Sequence, residues 1–158
     1  MKLSTALNKI KNLKSKIAQV HTYINESAVH YEDAEPPYIY EDEVARRIAL
    51  IQDLRDLKVR IQLTNAKTMV TFDGHDLSLT ELIMINADTR SEMAFAKEQM
   101  AHSLEGSRFE TRTAESVKKM YAIEHHKEKC REWLEKLEIQ KEKIDEAIAD
   151  INAKTDLI

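Results

Sequence analysis

Leu3, Ala6, Ile10, Leu13, Ile17, Val20 and Ile24 recur at steps of three and four, an unbroken heptad stripe with polar residues between. Such a stripe predicts a helix over about 3–25 that packs along its length on another helix. The pattern then breaks over residues 25–41. Pro36-Pro37 stiffens this stretch, and Tyr38-Ile39-Tyr40 alternates like an extended arm. A second helix is predicted over about 42–65, with Val44, Ile48, Ile51, Leu54, Leu57 and Ile61 on its inner side.

Met69 to Asp76 reads as two short extended runs around Asp73-Gly74, which predicts a β-hairpin over about 69–77. Ser78 and Glu81 then have capping-box spacing, with Leu77 and Leu82 placed for a hydrophobic staple. A third helix follows over about 79–104, and residues 105–113 form a polar connector. In the last segment Met120, Ile123, Lys127, Cys130, Leu134, Leu137, Lys141, Ile144, Ile148 and Ile151 keep the three-four rhythm, predicting a helix over about 114–153. Forty residues of helix span roughly 60 Å. That is long for a compact monomer, so a covering second chain is expected. Lys127 and Lys141 on the stripe fit polar seam positions that set register or partner number.

Composition agrees with an all-α reading. Among 158 residues there are 2 Gly and 2 Pro, too few turn residues for an all-β or doubly wound α/β domain. Gly74 and Gly106 lie too far apart for a phosphate-cradling loop. The expected architecture is one helical domain over 1–158: long antiparallel helices with coiled-coil-like seams, and one small β-hairpin between helices two and three. The lone Cys130 argues against a disulfide-stapled secreted fold. No apolar run is long enough to span a membrane, and the cytoplasm is the expected compartment.

The net charge of −4 argues against a dedicated nucleic-acid binder, yet the charge is unevenly placed. Residues 1–25 hold Lys2, Lys9, Lys11, Lys14 and Lys16 with no acid. Residues 32–43 hold Glu32, Asp33, Glu35, Glu41, Asp42 and Glu43 with no base. These are two solvated faces, or surfaces that meet within or between chains.

Candidate chemistry is sparse. His126 and Cys130 stand one helical turn apart, but two ligands on a face make no zinc site, and no second cluster has suitable spacing. Cys130 lies on the apolar stripe, where it acts as a small hydrophobe rather than a nucleophile. No serine sits on a glycine-rich elbow. Catalysis, metals and cofactors are therefore not expected. More informative are Asn86 and Arg90, four apart on a face that is otherwise apolar. Asn65 and Thr68 close the second helix beside the hairpin. Arg108 and Arg112 flank Phe109 and offer two guanidinium forks near a helix start. Tyr38 and Tyr40 are placed to stack on a base. These residue types suit a phosphorylated, nucleotide-like ligand held between subunits. The same residues also fit caps, a turn and a neighbour's carboxylate.

Four motifs occur together and in order. They are Met1-Lys2-Leu3-Ser4-Thr5-Ala6-Leu7, Ile61-Gln62-Leu63-Thr64-Asn65-Ala66-Lys67-Thr68, Asp73-Gly74 followed by Leu79-Thr80-Glu81, and Asn152-Ala153-Lys154-Thr155-Asp156-Leu157. In these the whole chain resembles the family of small helical bacterial and phage proteins often labelled septicolysin. The resemblance implies a long-helix homo-oligomer with no established activity. The family's basic pair and Asp after Leu-Thr-Glu are replaced here by Ile85-Asn86-Ala87-Asp88, and its aromatic after the final Asn by Ala153, so a role resting on those residues does not carry over. Two functions remain as expectations. One is a non-enzymatic oligomer, a dimer or higher (trimer or hexamer included), that sequesters a nucleotide-derived anion, as a phage sponge would. The other is a structural or adaptor coiled-coil protein that docks protein partners.

Overall fold

A computed structural model describes residues 1–101 and 125–158. The fold is all-α with one small antiparallel hairpin. Its elements in chain order are α1 (Leu3–Ala28), α2 (Tyr40–Lys67), β1 (Met69–Phe72), β2 (His75–Ser78), α3 (Leu79–Ala101) and α4 (His126–Lys154). The chain groups into two compact units, Met1–Thr80 with Ala149–Ile158, and Glu81–Ile148.

In the first unit α1 and α2 pack antiparallel. The stripe read from sequence is the face α1 buries: Leu3, Ala6, Leu13 and Val20 are buried, and Ser27 extends the same rhythm by one turn. Ser27 tolerates burial because its hydroxyl donates back to the carbonyls of Tyr23 and Ile24. On α2 the buried residues Leu57, Ile61, Thr64 and Asn65 face α1's side of the unit.

The N-terminal half of α2 departs from expectation at Ile48. Ile48 is 60% exposed, and the half-buried positions there are Glu43, Val44, Arg47, Leu50 and Ile51. Counting back from Leu54 in fours and threes reaches Leu50, Arg47 and Glu43. The seam therefore keeps its phase and accepts polar residues, leaving Ile48 outside. The Nε of Arg47 is buried there without a hydrogen-bond partner.

α1 starts without a side-chain cap and with no acid in its first turn. It is anchored instead by a bridge between Lys2 and Asp156, in which Leu3 N–H donates to the Thr155 carbonyl at 3.0 Å and Leu157 N–H to the Met1 carbonyl at 2.7 Å. The Lys2 ammonium donates to the Lys154 carbonyl and to the Asp156 carboxylate, each at 2.8 Å, and so caps the C-terminal end of α4 with positive charge. α2 needs no such help. Glu41, Asp42 and Glu43 fill its first turn, where negative charge complements the helix dipole.

The hairpin forms where Asp-Gly predicts it. Met69 pairs with Ser78 through to Phe72 with His75, and Asp73 and Gly74 both take positive φ, 47° and 79°. Two successive left-handed residues make the turn whose twist suits a two-residue hairpin. α3 begins directly after it at Leu79, as the spacing predicts.

The second unit contains most of α3 and α4, antiparallel, with Phe95 edge-on to Trp133 at 6.0 Å between ring centroids. α3 buries Leu82, Asn86, Thr89 and Ala96, and α4 buries Cys130 and Ile144. Of the helix expected over 114–153, the described part begins later: His125 has a φ of 53°, outside the helical range, and α4 starts at His126. The twenty-nine residues of α4 span roughly 43 Å. Residues 105–113 and the start of the predicted helix at 114 lie outside the described residues.

Candidate functional site

Two consecutive seam positions of α3, Asn86 and Thr89, are polar and buried. Thr89 is satisfied inside its own helix, its hydroxyl donating to the Ile85 carbonyl at 2.8 Å. Asn86 reaches across to α4 instead. Its Nδ2 donates to Asp145 Oδ1 at 2.7 Å, while its own Oδ1 is buried without a partner. A buried amide with one end unsatisfied is costly, on the order of 1–3 kcal/mol for the lost partner.

Asp145 collects two cations as well. Lys141, one turn earlier on α4, donates its ammonium to Asp145 Oδ2, and the Arg90 guanidinium lies 3.6 Å from Oδ1. The hydrogen bond from Lys141 and then that from Asn86 hold the Asp145 carboxyl below its ordinary range, with the charges of Lys141 and Arg90 adding to this. Partial desolvation opposes the shift without reversing it. Asn86, Arg90, Lys141 and Asp145 thus form one polar layer across the helix pair.

Beside this layer runs an open groove of about 480 Å³, lined by Met93, Glu138, Lys141, Glu142, Asp145 and Glu146. Four carboxylates against one ammonium give the groove a negative field. The arrangement disfavours a free phosphate there.

The other sequence candidates lie elsewhere. Asn65 is buried in the last turns of α2 with its Oδ1 unpartnered. Thr68 is the C-cap of α2: its N–H and hydroxyl donate to the Thr64 carbonyl, and its own carbonyl accepts the Leu79 N–H at 2.8 Å. Tyr38 stacks on Tyr23 of α1, ring centroids 4.1 Å apart, and desolvation together with Tyr23 keeps its phenol above the ordinary range. Tyr40 is the first residue of α2 rather than part of an extended arm, although Ile39 before it stays extended. The length of α2, roughly 40 Å, separates Tyr38 and Tyr40 from Asn65 and Thr68. One subunit does not bring these four into one pocket. Arg108, Phe109 and Arg112 lie outside the described residues.

His126 and Cys130 do meet, as one helical turn requires. The sulfur is 3.8 Å from Nε2 of the ring, and that nitrogen donates to the Gln99 carbonyl at 3.1 Å. The imidazole ties α4 to α3, and the thiol is buried beneath it. Among the described residues no group of three or more His, Cys, Asp or Glu is placed to hold a metal ion. No described helix is long and apolar enough to cross a membrane.

Sequence reasoning found Asn86, Arg90 and the seam position of Lys141 but missed Asp145. The signal available was its place four residues beyond Lys141, on the flank of the stripe.

No family model and no curated protein matches the chain. Its fold is similar to that of a functionally unknown conserved protein from Corynebacterium diphtheriae, seen in a crystal structure. The TM-score is 0.79 at 16% sequence identity, over 100% of this chain and 99% of that one. The likeness extends to the whole helical architecture and concerns the fold alone.

Proposed function

We propose that this is a non-enzymatic, cytoplasmic helical scaffold that works by docking to protein, copies of itself included, and whose polar layer sets helix register. The reading rests on one observation. The candidate donors Asn86, Arg90 and Thr68 are spent inside the fold, on Asp145 and on the Thr64 carbonyl, while large apolar side chains stand open on the surface. Val29 and Tyr31, 84% and 83% exposed, lie together between α1 and α2. Exposed apolar groups rimmed by charge are what a protein partner covers. The resemblance to the septicolysin-labelled family, with its implied homo-oligomer, supports the same reading.

A second reading, sequestration of a nucleotide-like anion, draws on a different feature. Asn86, Arg90 and Lys141 converge from two helices on a single anionic group, the chemistry a phosphate would use if it displaced Asp145. Native mass spectrometry of the freshly purified protein separates the two. Assembly at clean multiples of 18.3 kDa supports the scaffold. Extra mass of nucleotide size, lost in Arg90→Ala, supports sequestration. A bare monomer at every concentration rejects the scaffold.

A further inference from the structure

The first unit carries two opposite charges that it cannot bring together. No Asp or Glu occurs from residue 1 to 25, and no Lys or Arg from 26 to 45. Lys9, Lys11, Lys14 and Lys16 are exposed along α1, and none has an ion-pair partner among the described residues. Glu32, Asp33 and Glu35 are exposed in the connection beyond the far end of α1 and likewise have no ion-pair partner among the described residues. The dipole of α2 accounts for the acids at 41–43 but not for these three. Along α1 the lysines stand roughly 18 to 28 Å from Ala28, where the acidic connection begins. That exceeds the Debye length of about 8 Å at physiological ionic strength. Within one chain the two patches do not compensate each other.

The acidic tip also holds Val29, Tyr31 and Ile39, the last 64% exposed. Leu7, Lys11 and Lys14, spaced by four and three, share one exposed flank of α1, and Lys9 and Lys16 lie on the opposite flank of the stripe. Leu7 thus gives the flank of Lys11 and Lys14 an apolar position of its own. Each patch therefore combines apolar anchors with a charged rim, and the two rims have opposite sign.

We propose that the acidic tip between α1 and α2 docks on the flank of α1 that carries Leu7, Lys11 and Lys14 in a second copy of this chain. A two-fold operation satisfies both tip–flank pairs at once, because a self-complementary contact presents the same two patches twice. Electrostatic attraction steers the encounter, and the apolar tip supplies the part that stays dry. The inference rests on the scaffold reading above and names the surface that reading uses.

Sedimentation velocity on three full-length proteins tests it. One is the wild type, one carries Lys11→Glu and Lys14→Glu, and one carries Glu32→Lys, Asp33→Lys and Glu35→Lys. All five side chains are exposed, and circular dichroism checks that each variant keeps the helical content of the wild type. The wild type is expected to self-associate, and more weakly as salt is raised. Each variant alone should weaken by about 100-fold or more, since its tip and flank then repel. Mixed one to one, the variants should re-form a heterodimer of near wild-type affinity. A variant that keeps wild-type self-association, or a mixture that stays monomeric, overturns this surface and leaves the scaffold reading standing. A wild type that is monomeric at every concentration overturns both. Should either variant lose helical content, the milder Lys→Gln and Glu→Gln sets replace it with the same expected direction.

Discussion

Asn86 of α3 donates its side-chain amide to Asp145 of α4 at 2.7 Å, between the buried apolar positions Leu82 and Ala96 of α3 and beside Ile144 of α4. A hydrogen bond here has only one register. Sliding either helix by a turn would leave Asn86 buried with neither end paired and would part Arg90 from Asp145. A Leu-rich pair of helices tolerates such a slip, since one apolar layer replaces another. The layer therefore trades stability for a unique alignment.

Asn86→Leu should raise the melting temperature, because it removes a buried unpaired oxygen while Lys141 and Arg90 still hold Asp145. Thermal unfolding by circular dichroism reads the change. A lower melting temperature would mean that the bond to Asp145 outweighs the unsatisfied end.

Asp145→Asn should cost about 0.5–1 kcal/mol at neutral pH, the scale of an ion pair whose carboxylate is partly open to solvent. The folded-state pKa of Asp145 lies below its ordinary value of 3.8. Its contribution is thus complete above that value and is lost as pH falls through the depressed one. Urea titrations of wild type and variant should differ at pH 7 and converge at strongly acidic pH. A gap that persists in acid would assign the effect to packing.

Leu57→Ala, at a buried seam position, should cost about 2–4 kcal/mol. Ile48→Ala, about two and a half helical turns earlier and exposed, should change stability by less than about 0.5 kcal/mol. Equal losses in chemical denaturation would restore Ile48 to the inner face.

These two positions show what was legible in the sequence. The α1 stripe was readable because each inner position is apolar and spaced by three or four. The hairpin was readable because Asp73-Gly74 supplies two residues suited to positive φ. In α2 hydrophobicity marks the half-buried Val44 and Ile51 correctly but fails at the exposed Ile48, and it passes over Glu43 and Arg47, half-buried polar positions that periodicity from Leu54 recovers. The turn at His125 left no mark, since the apolar rhythm keeps its phase across it. Asp145 is one of 28 acidic residues, and only its distance to Asn86 and Lys141 distinguishes it.

Gly74→Ala should cost about 1 kcal/mol through backbone strain at φ 79°, with no steric contribution, because a Cβ there meets nothing within 4 Å. Gly74→Asn, which adopts positive φ more readily, should recover part of the loss. A neutral Gly74→Ala in denaturant titration would argue against the left-handed turn.

The bridge between Lys2 and Asp156 also sets a timetable. Leu3 takes its backbone tie from Thr155, far along the chain, so the first turn of α1 waits for the far end of α4 to arrive. Closing so long a loop is slow but adds little entropy per added residue. α1 and α2 can zip early through their shared stripe, whereas the helix start at Leu3 locks last. A chain cut before Thr155 would carry a frayed turn at Leu3, and a protease would find its next cut there.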